Sequence, residues 1–264
     1  MEQLIKTIIL GIIQGLTEWL PISSTGHLRL ADHFLGLKVP IIFDVILHVG
    51  TLIVVLAFFR REVCKMLSAL VHLDFKTEYG KMVPLIIVGV TPTVLIGLIF
   101  GSVIEDAFQS ILPIGIAFIF CGLMLYSIKG GKEKTESISY STVIMIGITQ
   151  GVAIIPGISR SGATIAVALL LGIKREKAFE FSFLLSIPAI LAALGLTVST
   201  QFDELASAGL DQVEILAGAT VAMFVGYLAL KLLWKILAKK KFHLFAFYCW
   251  LLGAVLIALI LSGF

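Results

Sequence analysis

The sequence predicts an all-α polytopic membrane protein: six transmembrane helices plus two re-entrant helical hairpins, arranged as an inverted-topology repeat within a single integral membrane domain, 1–264. Three observations predict it. Apolar residues make up 59% of the chain and charged residues 14%, with a mean hydropathy of +1.07. No soluble core of this size buries that much apolar surface, so lipid must be part of the solvent. Two polar stretches, Gln14–His27 and Gln150–Thr164, then interrupt segments that otherwise suit a membrane interior. Finally, these two stretches align with each other when the chain is slid by 136 residues. The net charge of +3 is too small to imply a nucleic-acid partner. Cys64, Cys121 and Cys249 have no CxxC spacing and read as small buried hydrophobes. The first residues lack a basic n-region and a small-residue cleavage site, so no removable signal peptide is expected.

Taken in order, residues 2–36 are apolar on average, but Pro21 and the Ser23-Ser24-Thr25-Gly26 run cut them into two short pieces. Residues 142–172 are cut the same way by Pro156-Gly157 and Ser159-Arg160-Ser161-Gly162. A helix needs about 20 apolar residues to cross a bilayer, so pieces this short suit half-helices. Two full crossings at each place are the alternative. Crossings are expected at 43–59, 83–104, 111–128, 178–197, 213–230 and 243–262. Ser23, Ser24 and Thr25 are N-cap candidates for a helix running to Leu35, with Gly36 as its stop. Ser159 or Ser161 caps the matching helix, which ends before Gly172. Gly11 and Gly15, with Gly147 and Gly151 as their copies, offer small-xxx-small packing faces. Residues 64–75 read as a helix lying along the inner membrane surface.

Basic residues set the orientation. If 43–59 crosses once, the segments 60–81, 129–137, 174–177 and 231–243 share one side and hold 16 of the 20 Lys and Arg residues. The opposite loops, 101–110 and 198–214, hold none and carry Glu105, Asp106, Asp203, Glu204, Asp211 and Glu214. The positive-inside rule places the basic side in the cytoplasm and both termini outside.

The 136-residue offset pairs Gly11 with Gly147, Gln14 with Gln150, Ile22-Ser23 with Ile158-Ser159 and Gly26 with Gly162. It also pairs Leu35-Gly36-Leu37-Lys38 with Leu171-Gly172-Ile173-Lys174, and Phe43-Asp44 with Phe179-Glu180. The repeats run about 1–128 and 142–264, with three crossings between the two copies. An odd number inverts the second copy, and such folds place their ligand site where the repeats meet near the midplane. The hairpin tips are therefore expected to meet.

The residues at the tips suggest anion chemistry. Both second helices point their N-termini inward, and a helix N-terminus carries free N–H groups and partial positive charge. Arg160 adds a planar multi-donor cation suited to phosphate. Ser23, Thr25, Ser159, Ser161 and Thr164 add hydroxyls, and Gly26, Gly157 and Gly162 allow close backbone approach. Gln14 and Glu18 share one helix face. Glu18 can hold a divalent cation or act as a base, and it is also a natural ion-pair partner for Arg160. His27 can move protons, and Ser24 can serve as a nucleophile, with metal-activated water as the alternative that uses the same residues. Together these groups suggest phosphoryl transfer from a lipid phosphate. Asp44, Arg29, Asp32, His33 and His48 lie near the first hairpin and are weaker candidates.

The two stretches resemble the signatures of the undecaprenyl pyrophosphate phosphatase family, also called the bacitracin-resistance family. The first signature is matched by Gln14, Glu18, Pro21, Ser23, Ser24, Thr25, Gly26 and His27, and the second by Pro156, Gly157, Ser159, Arg160, Ser161 and Thr164. The resemblance covers the whole chain and implies an inner-membrane enzyme. Such an enzyme removes one phosphate from the C55 polyprenyl diphosphate carrier on the outer leaflet, recycling it for cell-wall synthesis. It implies catalytic roles for Glu18, Ser24, His27 and Arg160, and a Mg²⁺ or Ca²⁺ ion held by Glu18, with Gln14 as a second ligand. Gln14 is a departure, since it leaves one carboxylate where a pair is usual. The phosphatidic-acid-phosphatase signature is not matched, because no Lys-x6-Arg-Pro is present and no His follows Arg160 before His243. A transporter or flippase of polyprenyl phosphate lipids is the alternative, because inverted repeats with broken helices are typical of carriers.

Overall fold

A computed structural model describes residues 2–37, 41–131, 133–200 and 212–263. Lys38, Lys132, Asp203, Glu204 and Asp211 lie outside the described residues. The helices are α1 (Glu2–Trp19), α2 (Ser24–Leu35), α3 (Ile41–Phe58), α4 (Arg60–Val71), α5 (Glu78–Ala107) and α6 (Ile111–Ser127). They continue with α7 (Tyr140–Val152), α8 (Arg160–Leu170), α9 (Arg175–Thr200), α10 (Gln212–Ala238) and α11 (Phe245–Leu261), the last preceded by a 3₁₀ turn at Phe242–Leu244. Among the described residues, the β-structure is one isolated bridge between Thr135 and Ile173.

Among the described residues, four helical segments are long and apolar enough to cross a bilayer: α5, α9, α10 and Phe242–Leu261. A fifth is added if α3 and α4 are one broken span, bent by 84° between them. The protein is therefore an all-helical, multi-pass membrane protein. Large apolar side chains remain on the outside of the bundle, including Phe120 and Phe224, where lipid is their solvent. Inside, Trp19, Phe179, Phe183 and Trp234 form a chain of ring contacts across α1, α9 and α10.

The breaks fall where the residues require them. Pro21 cannot continue α1, which stops at Trp19. Ser23 caps α2 by accepting from the Gly26 N–H, and Gly36 ends that helix in the left-handed region at φ 61°. Ser159, rather than Ser161, caps α8 by accepting from the Gly162 N–H. The surface helix expected at 64–75 instead runs from Arg60 to Val71 and packs against α5. It ends early because Leu73 takes a positive φ of 52° and Asp74 begins the turn that leads into α5. Cys121 and Cys249 are buried as expected, but Cys64 is exposed on α4.

Long helices pair through small residues. α1 lies along α10, where Gly15 comes so close that a Cβ there would sit 2.7 Å from the Ala222 carbonyl oxygen. α7 lies along α5 through Gly147 against Gly89, and α6 lies along α11. α2 and α8 begin at Ser24 and Arg160, 136 residues apart, while α3 and α9, α5 and α10, and α6 and α11 each begin 134 residues apart. At one end of the bundle Lys177 pairs with Glu78 and Glu180, Lys174 with Glu136, and Arg175 with Glu133. These pairs bring three of the four basic segments together.

Candidate active site

The two broken stretches meet tip to tip. Where α1 breaks off, it leaves carbonyls without helical partners, and the second tip satisfies two of them. The Ser161 hydroxyl donates to the Trp19 carbonyl at 3.0 Å, and Ser159 donates to that of Leu20 at 3.5 Å. In return, the Gly157 N–H donates to Ser23 Oγ at 3.0 Å. Gly157 adopts φ 100°, and a Cβ there would sit 2.7 Å from the Ile114 carbonyl oxygen. Ser23 itself holds φ 67°, an uncommon value for a residue with a side chain. Its two accepted bonds, from Gly26 and Gly157, hold it there.

Above this clamp, four helices converge on one carboxylate. Glu18 Oε1 accepts from Arg160 Nη2 at 2.6 Å. Glu18 Oε2 accepts from Ser24 Oγ at 2.7 Å and from Gln14 Nε2 at 3.1 Å. His48 of α3 brings its Nε2 within 3.8 Å of the same oxygen, and its Nδ1 lies 3.4 Å from Asp44 Oδ1. The Arg160 guanidinium also lies over the Trp19 ring. Glu18 is only 7% exposed, so its charge depends on these partners.

A cavity of about 700 Å³ opens over the cluster. Glu18, Ser24, Arg160 and His48 line its polar floor, with Ser23, Thr25, Ser159 and Asp44 beside them. Its walls come from the C-terminal halves of α5 and α9. A polar floor carrying Arg160, Glu18 and His48 thus opens into a mainly apolar slot.

A family model described as bacitracin resistance protein BacA matches residues 7–255. The chain belongs to the BacA family. It is 42% identical over 263 residues to the undecaprenyl-diphosphatase of Carboxydothermus hydrogenoformans, covering 98% of both chains. It is also 42% identical to the protein of that name from Desulforapulum autotrophicum, covering 99% of both chains. With the one from Halothermothrix orenii it shares 40% identity, over 97% of this chain and 98% of the other.

Not every BacA signature residue faces the cavity. His27 lies outside its lining, with Nδ1 on the Ser23 carbonyl oxygen at 2.7 Å and Nε2 on the Tyr248 hydroxyl at 2.6 Å. Its ring stacks on Tyr248 and meets the edge of Phe118, which ties the first tip to α6 and α11. The imidazole that adjoins Glu18 is instead His48. The signal for it was the Asp44–His48 pair, four residues apart on one helix face and opening the span after the hairpin. Gly26 packs against Phe118 and Gly157, and Gly162 against Pro21, so both serve the tip contact. Ser161 bonds the first tip, and Thr164 bonds the Arg160 carbonyl and Ser182 of α9. Asp32 and His33 are not part of the lining, while Arg29 reaches Glu105 near the cavity mouth at 3.8 Å.

The residues present fit the divalent cation that the BacA resemblance implies. Mg²⁺ and Ca²⁺ take hard oxygen ligands, and Mg²⁺ commonly uses one or two carboxylates plus substrate phosphates. Gln14 Oε1 is buried without a hydrogen-bond partner, on a side chain bonded to Glu18. Among the described residues, no group of three or more His, Cys, Asp or Glu forms a ready cage. Glu18 lines the cavity while Gln14 lies behind it, fully buried and outside the lining, so an ion on Glu18 would take most of its shell from substrate and water.

Proposed function

We propose that the protein hydrolyses undecaprenyl diphosphate to undecaprenyl monophosphate and phosphate. This recycles the lipid carrier for cell-wall synthesis and confers bacitracin resistance. One observation carries the reading: Arg160 from the second tip and Ser24 from the first both bond the Glu18 carboxylate, on the floor of a cavity whose walls are mainly apolar. A diphosphate headgroup binds Arg160 and the N-termini of α2 and α8. Ser24 Oγ attacks the terminal phosphorus. A new P–O bond forms, and the bridging P–O bond breaks with its electron pair going to the departing polyprenyl monophosphate. Glu18, which already accepts the Ser24 hydrogen bond, takes the hydroxyl proton. Water then releases the phosphate from Ser24. A divalent cation, when bound, would be held by Glu18 with Gln14 behind it and would supply neutralising charge to the diphosphate. His27 holds the tip in place through Ser23 and Tyr248, and His48 holds Glu18 from the other side.

The six-span architecture with two re-entrant hairpins and an inverted repeat belongs to the same reading. The common spacing of equivalent helices supports it, as do the matching pairs α1–α10 and α5–α7. The cavity mouth carries Ser102, Glu105 and Thr200, at the ends of α5 and α9 that adjoin the loops without Lys or Arg. The positive-inside rule then puts the mouth and both termini on the outer side of the cytoplasmic membrane. Purified protein in detergent, supplied with C55 diphosphate and Mg²⁺, is expected to release one phosphate per lipid. Bound lipid with no phosphate release would overturn the enzymatic reading.

A further inference from the structure

The polar floor accounts for less than half of the cavity lining. α5 and α9 touch where Leu185 packs onto Gly89, and beyond that point both helices line the cavity. The two helices therefore fork. The slot between them is lined by Gly97, Leu98 and Gly101 of α5 and by Ala189, Ala193 and Leu196 of α9. Leu98 is 60% exposed and Leu196 43%, so the slot opens sideways where hydrocarbon surrounds the bundle. At its inner end stands Gln150, 2% exposed, with Nε2 fixed on Thr93 Oγ1 at 3.2 Å and Oε1 unpartnered. Gln150 closes the slot on its polar side, and from there outward the lining between the helices is mainly apolar.

We infer that the fork between α5 and α9 is the lateral portal and binding slot for the first isoprene units of the polyprenyl tail, with Gly97 and Gly101 setting its width. The inference rests on placing the diphosphate at Arg160 and Glu18. Pockets of roughly 300–1,000 Å³ hold drug-sized ligands, so most of a C55 tail stays in the bilayer. A Cβ at Gly101 meets nothing within 4 Å, so a larger residue there enters the slot without disturbing the helix.

The test labels the slot. Cys64 is exposed and is first replaced by C64S, while Cys121 and Cys249 are buried. G101C is then introduced, with G195C as a control, since Gly195 lies on α9 outside the cavity lining and a Cβ there also meets nothing within 4 Å. Each thiol is alkylated with a membrane-permeant maleimide. Methylene-bridged C55 diphosphonate is expected to slow alkylation of G101C at least tenfold and to leave G195C unchanged. Methylenediphosphonate without a tail, at a concentration that inhibits phosphate release, should protect neither. G101F should raise KM for the C55 substrate about tenfold. Unprotected G101C while the tailed analogue inhibits release would overturn the portal, and so would equal protection by the tailless analogue. Wild-type release by R160K would instead sink the headgroup placement.

Discussion

The Arg160–Glu18 pair makes a prediction whose size follows from the geometry. R160A removes the donor 2.6 Å from Glu18 Oε1 and leaves a carboxylate that is 7% exposed with the Ser24 and Gln14 bonds and the His48 ring 3.8 Å away. Breaking a buried ion pair from one side costs about 3–5 kcal/mol, chiefly because the remaining charge is uncompensated. For a chain of this size that is a fall in Tm on the order of 10 °C. E18Q leaves the guanidinium, which is 18% exposed beside the cavity, so its cost is smaller, about 1–3 kcal/mol. The double variant E18Q/R160A holds no orphaned charge. It should recover at least about 2 kcal/mol relative to R160A, well above the roughly 0.5 kcal/mol within which independent sites add. Thermal unfolding of all four proteins in one detergent measures the cycle. Strictly additive losses would refute the claim that the two tips are joined through this pair.

Three further outcomes follow. G157A forces a β-carbon into a backbone at φ 100° and against Ile114, so it should cost about 1–3 kcal/mol and abolish activity by separating the tips, as unfolding and phosphate release will report. Q14E adds a second carboxylate beside Glu18, and by raising ligand charge it should tighten the Mg²⁺ concentration dependence of thermal stabilisation about tenfold; an unchanged dependence would remove Gln14 from the cation site. Y248F deletes the hydrogen bond to His27 Nε2 and should cost about 1 kcal/mol of stability, with a parallel loss in kcat where a change in KM alone would contradict the positioning role.

The breaks in the helices, their caps and the meeting of the tips were legible because Pro, Gly and Ser act locally. Pro21 stops α1 and Ser23 caps α2 whatever surrounds them. The convergence of Glu18, Ser24 and Arg160 was legible for another reason: a membrane interior leaves few partners for a charge, and the offset placed these residues opposite one another. The fate of each hydroxyl was not legible. Ser161 and Thr164 look like phosphate ligands in sequence, but Ser161 bonds Trp19, and Thr164 bonds the Arg160 carbonyl and Ser182. Only the fold shows which carbonyls α1 leaves open and where α9 passes. His27 and His48 exchange places for a similar reason. The sequence puts His27 three residues from Ser24, but the turn sends its ring toward Tyr248, while α3 folds back to bring His48 onto Glu18. The α5–α9 slot gave no motif, because Gly and Ala in an apolar helix look the same whether they face a neighbour, lipid or a ligand.

The central claim is that the two tips build one phosphate-transfer site with Ser24 as its nucleophile. Acid quenching of the purified protein during turnover of C55 diphosphate labelled on its terminal phosphate tests this most directly. The account predicts label covalently bound to the wild type at Ser24, absent from S24A and at least a hundredfold slower to appear in R160K. Phosphate release by S24A at the wild-type rate, with no label on either protein, would contradict it.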